Sequence, residues 1–157
     1  MNFAVVAPLG IKICTMSPES VLSETKIYDW NKIAIMSPLM EELEAKDSST
    51  YAFSDKSKAN FALVELSAIN GGTISQYCMY DALIDLARRS TNEVRRAYNR
   101  QAIYFLILSA CKGGFWKSEE DLEFYLRESG TGITKEEIDV NKCGPIVEQI
   151  VTYLSGA

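Results

Sequence analysis

Apolar and polar positions follow two different rhythms in this chain, and the rhythm changes near residue 55. The first sixteen residues hold two short runs rich in β-branched and aromatic types, FAVVA and IKICTM, parted by Pro8-Leu9-Gly10. Runs of that kind around a tight Pro/Gly connection predict a small β-hairpin. SPES at 17–20 and SPLMEELEAK at 37–46 each place a serine before a proline. That order predicts two short helices, because a serine hydroxyl caps the first N–H groups and proline costs no hydrogen bond at the first helical position. KIYDWNKIAIM, between them, fits neither rhythm, and KDSSTYAFSDKS at 46–57 reads as a polar connection.

Beyond residue 55 the spacing is helical. Ala59, Leu63 and Leu66 recur on one face behind Ser54, and Gly71-Gly72 supplies a left-handed stop. Four pairs then carry the capping-box spacing: Thr73 with Gln76, Ser90 with Glu93, Ser118 with Asp121, and Thr134 with Glu137. Gly113-Gly114 and Gly130 provide further stops, and Gly144-Pro145 restarts the chain into PIVEQIVTYL. The helix at 91–112 changes character along its length. Its first half holds Arg95, Arg96, Asn99 and Arg100, while AIYFLILSAC at 102–111 is apolar all round. A stretch apolar on every side must be enclosed, so it belongs at the centre of a bundle.

The expected fold is therefore mainly α, a compact multi-helix bundle around a central apolar helix (about 91–112) with a small N-terminal β-hairpin. One domain is expected over 1–157, divided into the β element at 1–16, short helices and a connection at 17–53, and the helical core at 54–157.

Composition changes this picture in three ways. The chain has no histidine, which removes Ser-His-Asp and Cys-His catalysis, histidine bases and His-containing metal sites. Its four cysteines, Cys14, Cys78, Cys111 and Cys143, stand far apart with no C-x-x-C pair. They read as reduced, mostly buried thiols, and no metal or other cofactor is expected. The longest apolar run besides the N-terminus is about ten residues, roughly half of a bilayer span, and the N-terminal run is broken by Pro8, Gly10 and Lys12 without a basic flank. The expectation is a soluble, cytoplasmic protein with no signal peptide and no membrane partner.

Candidate enzyme chemistry is thin. Cys78, in the first turns of a capped helix, is the best-placed thiol for activation, with packing as its plainer role. SETK at 23–26 has S-x-x-K spacing without a following K-T-G, and GTGITK at 130–135 follows a helix instead of a strand, so neither carries its motif's chemistry. The acids Glu119, Glu120, Asp121 and Glu123 suit a helix's first turn, where negative charge favours the dipole.

Charge is where the sequence is most uneven. The net charge is -5, yet five of six arginines, Arg88, Arg89, Arg95, Arg96 and Arg100, fall within 86–101. Arg88 and Arg89 have a local reason, a helix C-terminus and Asp85 on the same face. Arg95, Arg96 and Arg100 oppose the dipole of the helix they begin, so something else must compensate them. Three partners fit: acids elsewhere in the fold, a protein partner, or phosphates. The segment 118–139 offers Glu119, Glu120, Asp121, Glu123, Glu136 and Glu137, and pairing with it between copies would build a self-associating assembly. The expected function is a non-enzymatic structural or protein-interaction subunit, its partners copies of itself. The alternative is RNA or DNA binding through Arg95, Arg96 and Arg100 with Tyr98 or Tyr104 for base stacking. A small enzyme using Cys78 or a carboxylate pair is the third reading.

Overall fold

The apolar half of the longest helix decides the architecture, because burying it requires neighbours on several sides at once. In the computed structural model, which describes residues 3–6, 12–16 and 55–156, the described residues form five α-helices, three of which supply those neighbours. They are α1 (Asp55–Ile69), α2 (Thr73–Arg88), α3 (Asn92–Lys112), α4 (Trp116–Glu128) and α5 (Gly144–Leu154). Helix α3 touches α2, α4 and α5, and two 3-10 turns, Lys135–Glu137 and Val140–Lys142, close over it. Ala102, Ile103, Leu106, Ile107 and Ala110 are fully buried there, against Met79 and Leu83 of α2, Leu122 of α4 and Ile150 of α5. The side carrying Tyr104 and Leu108 is the exception: Tyr104 keeps 46% of its surface exposed. The predicted short helices at 17–20 and 37–46, and the Ser54 cap, lie outside the described residues.

Strand β1 (Phe3–Val6) pairs antiparallel with β2 (Lys12–Met16), and the pair lies on the α1–α2 side of the bundle. The register shifts between Val5 and Val6, so one strand carries an extra residue near the turn. A disulfide between Cys14 of β2 and Cys78 of α2, with Cα atoms 6.0 Å apart, fastens the hairpin to the core. This corrects the reading of all four cysteines as thiols. Two residues separated by 64 positions came together only because the hairpin folds back onto α2. Cys111 and Cys143 remain thiols, partly buried and buried respectively.

The stops lie where glycine was expected. Gly71, Gly113, Gly114 and Gly130 all have positive φ. At Gly71 a Cβ would also come within 2.9 Å of Lys112 Nζ, the end of a flexible side chain that donates to the Gly71 carbonyl. The starts are different. Thr73 is already inside α2 behind Gly72, and Gln76 turns inward to donate to the Ala68 carbonyl at 3.0 Å. Ser90 bonds back to the Leu86 carbonyl at 2.8 Å, closing α2 instead of opening α3, whose first residue Asn92 sits at φ 54. Ser118 lies within α4 and donates to Phe115. Of the four boxes, Thr134 with Glu137 forms, its carboxylate accepting from both the Thr134 N–H and hydroxyl at 3.2 Å, and it opens a 3-10 turn. Short hydroxyls bond whichever backbone group is nearest, so spacing alone cannot tell a helix start from the preceding helix's end.

Candidate interaction surfaces

The arginines that oppose the α3 dipole find their compensation within the fold. Arg95 Nε donates to the Ala87 carbonyl at 3.1 Å, so its charge lies at the negative end of α2. Arg96 reaches α5, 3.4 Å from Ser155 Oγ and 3.7 Å from Glu148 Oε2. Arg100 grips the same Glu148 with two nitrogens, Nε on Oε1 and Nη2 on Oε2 at 3.5 Å. The Arg100 hydrogen bond holds the Glu148 carboxyl below its ordinary range and pushes the guanidinium up in return. Arg88 pairs with Asp85 at 3.1 Å, as helical spacing suggested, and Arg89 is exposed at the C-cap of α2. The sequence reading missed Glu148. One signal pointed to it: it is the sole charged side chain in residues 144–157.

The acidic segment is occupied separately. Lys135 bridges Glu119 at 3.0 Å and Glu136 at 3.3 Å, and the Glu119 bond raises the pKa of the ammonium. Asp121 accepts from the Tyr77 hydroxyl at 2.7 Å. Glu137 is held by Thr134, while Glu120 and Glu123 are exposed. The ion pairs seen among the described residues do not join Arg95, Arg96 or Arg100 to this segment.

A feature that sequence reasoning passed over lies between α2, α4 and α5. Tyr77 contacts Phe115 (5.2 Å between centroids) and Tyr80 (5.4 Å), Tyr80 contacts Tyr125 (6.3 Å), and Tyr125 contacts both Phe124 (5.7 Å) and Tyr153 (6.5 Å). Most of these pairs meet edge to face, the arrangement favoured by ring quadrupoles. In the middle of the row, the Tyr80 and Tyr125 hydroxyls share a 2.9 Å hydrogen bond, and burial pushes both phenols up. Asp81 beside them is pushed up as well, first by burial and then by Asp85. At one end of the row the rings reach solvent, Phe124 being 42% and Tyr153 38% exposed, and beside Phe115 at the other end Trp116 is 65% exposed. The two aromatic doublets, Phe115-Trp116 and Phe124-Tyr125, stand nine positions apart on α4, and that spacing was the available clue.

No family model, curated protein or solved structure matches the chain.

Local chemistry narrows the other readings. Cys78 is buried and disulfide-bonded, so no free thiol is present there. Burial raises the pKa of both remaining thiols, Cys111 and Cys143, which disfavours their thiolates. Tyr98, one of two rings considered for base stacking, is buried in the core; Tyr104 is exposed. Among the described residues no helix is long and apolar enough to cross a membrane.

Proposed function

We propose that this chain is a non-enzymatic interaction subunit that binds copies of itself, with the aromatic rim of α4 and α5 as the adhesive surface. The observation that carries the reading is the exposure of Phe124 on α4 and Tyr153 on α5, both in contact with the Tyr125 ring, with Trp116 exposed at the start of α4. Trp and Tyr are the side chains that most often dominate the energy of protein interfaces, since they bury large area at small entropic cost. Around that rim stand the exposed acids Glu120, Glu123 and Glu128 and one cation, Arg127, 5.7 Å from the Phe124 ring centroid, while Arg88 and Arg89 are exposed at the C-terminal end of α2. A head-to-tail contact would set one copy's arginine corner against the next copy's acidic rim. Arg95, Arg96 and Arg100 have a reduced share in this reading, because each already holds a group of its own fold.

Nucleic-acid binding draws less support for the same reason, and because Tyr98 is buried. The Cys14–Cys78 bond also bears on where the protein works: it favours maturation in an oxidising setting over the reducing cytoplasm expected from four thiols.

The test is molar mass by light scattering across a salt series, on the wild type and on a Trp116→Ser/Phe124→Ser variant, with ultraviolet absorbance followed for bound nucleic acid. Expected are particles above monomer mass that dissociate as salt rises, and a variant that keeps its helical circular dichroism but stays monomeric. A wild type that is monomeric at every salt and protein concentration sinks the proposal. Co-purified nucleic acid that leaves with salt would favour the alternative.

A further inference from the structure

Where α2 ends and α3 begins there is a small cavity of about 70 Å³, closed on one side by Leu154 of α5. Ile84, Ala87 and Leu154 give it apolar walls, and Arg88, Arg95 and Asn99 supply the polar ones. The volume is that of about two water molecules in the liquid.

Two independent features say what chemistry the cavity takes. The first is Asn99. Its side chain is 4% exposed and forms no hydrogen bond with any of the described residues, and its amide is not sealed in protein but opens on the cavity. Arg95, four positions earlier, lies on the same side of α3. A buried amide without a partner is costly until one arrives. The second feature is charge. Two guanidinium groups line the cavity and no carboxylate does. Asp85 matches Arg88 at 3.1 Å. Arg95 faces the carbonyl end of α2, worth about half a charge, and spends one nitrogen, Nε, on Ala87. The carbonyls at that end are already served, Leu86 by the Ser90 hydroxyl and Ala87 by Arg95 and the Ser90 N–H. The cavity therefore keeps a net positive charge and unspent N–H donors on Arg95 and Asn99.

We infer that this cavity binds one small, weakly hydrated monovalent anion, of which chloride is the simplest, between the unspent guanidinium nitrogens of Arg95 and the Asn99 amide. Water alone would satisfy the amide and leave the charge unmet. A sulfate or phosphate dianion exceeds the charge on offer and loses more hydration against apolar walls. A carboxylate carried on a protein chain needs room for the chain as well, beyond a volume of about two waters. Neither Arg95 nor Asn99 belongs to the α4–α5 rim, so the inference stands whether or not the chain self-associates.

The experiment is the quadrupolar broadening of the chloride NMR line by the full chain, with ionic strength held constant by gluconate, an anion too large for the cavity. Expected is an excess broadening that saturates, half-occupied on the order of 0.1 M chloride as suits a ligand of one atom. Bromide or nitrate should remove it, and sulfate at equal ionic strength should not. Arg95→Gln should abolish it. Asn99→Leu should weaken chloride about tenfold and keep the helical circular dichroism. In gluconate alone this variant should be at least as stable as the wild type, because an apolar group replaces an unpaired amide, and added chloride should favour the wild type progressively. That stability series separates lost binding from lost folding. The inference is overturned if the wild type gives no excess broadening, if both variants broaden the line as the wild type does, or if gluconate and chloride stabilise the wild type equally, which would make the cavity a water pocket.

Discussion

Helices α4 and α5 are fastened to the bundle by opposite kinds of polar contact. Glu148 of α5 meets Arg96 and Arg100 of α3 near the surface, where all three side chains are partly solvated. Tyr125 of α4 meets Tyr80 of α2 through part-buried hydroxyls whose rings also touch edge to face. Water competes for the first contact in both folded and unfolded chains, so the ion pair adds little net stability and chiefly fixes which acid sits beside which arginine. The second contact is part-buried, so water competes for it less and losing one partner costs the other more. A cluster of charges that dominates the sequence thus carries less of the fold than hydroxyls that hardly show in it.

Three experiments break or sharpen this contrast, in falling order of effect. The α2 side also has a covalent fastening, and Cys14→Ser removes it. For a loop closed across 64 positions the chain-entropy argument gives a loss of about 4 kcal/mol, read as a lower denaturation midpoint. Titration of the denatured wild type should find two free thiols before reduction and four after it. Four before reduction would show that the hairpin is not stapled.

Tyr80→Phe comes next. It keeps the ring packing and strands the Tyr125 hydroxyl, so a loss of about 1–2 kcal/mol in chemical denaturation is expected. A neutral result would mean that water reaches Tyr125 and that the part-buried contact is no stronger than the exposed pair.

The smallest effect belongs to Glu148→Gln, about 0.5–1 kcal/mol at neutral pH. Its pH dependence is the sharper test. The folded state holds the Glu148 carboxyl below its ordinary value, so it binds a proton less readily than the unfolded chain. The pair's stabilisation is therefore present above the unfolded carboxylate pKa and fades as pH falls through the folded one. The difference between wild type and variant should shrink in acid and shrink with added salt. Asp81 runs in the opposite sense: burial raises its folded pKa, so it favours the folded state at low pH and that contribution is lost as pH rises through the folded value. Asp81→Asn should accordingly help most at neutral pH.

Much of the helical frame was legible along the chain. Glycines mark the stops at Gly71, Gly113 and Gly130 because positive φ is a local property of one residue. The apolar half of α3 announced its enclosure, which the structure gives on every side but that of Tyr104 and Leu108. The starts were less legible, as Ser90 and Ser118 show, since a hydroxyl can bond forward or back. The arginine cluster was legible as a problem needing compensation, but its solution was not.

By itself, the sequence determined most of the helical stretches among the described residues, which helix lies at the centre and which chemistries a chain without histidine lacks. Periodicity, glycine and residue type act over a few neighbouring positions, so they can be read one stretch at a time. The tertiary structure alone decided that Glu148 answers Arg96 and Arg100, that Cys14 meets Cys78, and that rings from three helices form one row. Each joins residues distant in the chain, and what brings them together is the burial of apolar faces elsewhere. That burial selects the helix packing without regard to which charges, thiols or hydroxyls it carries along.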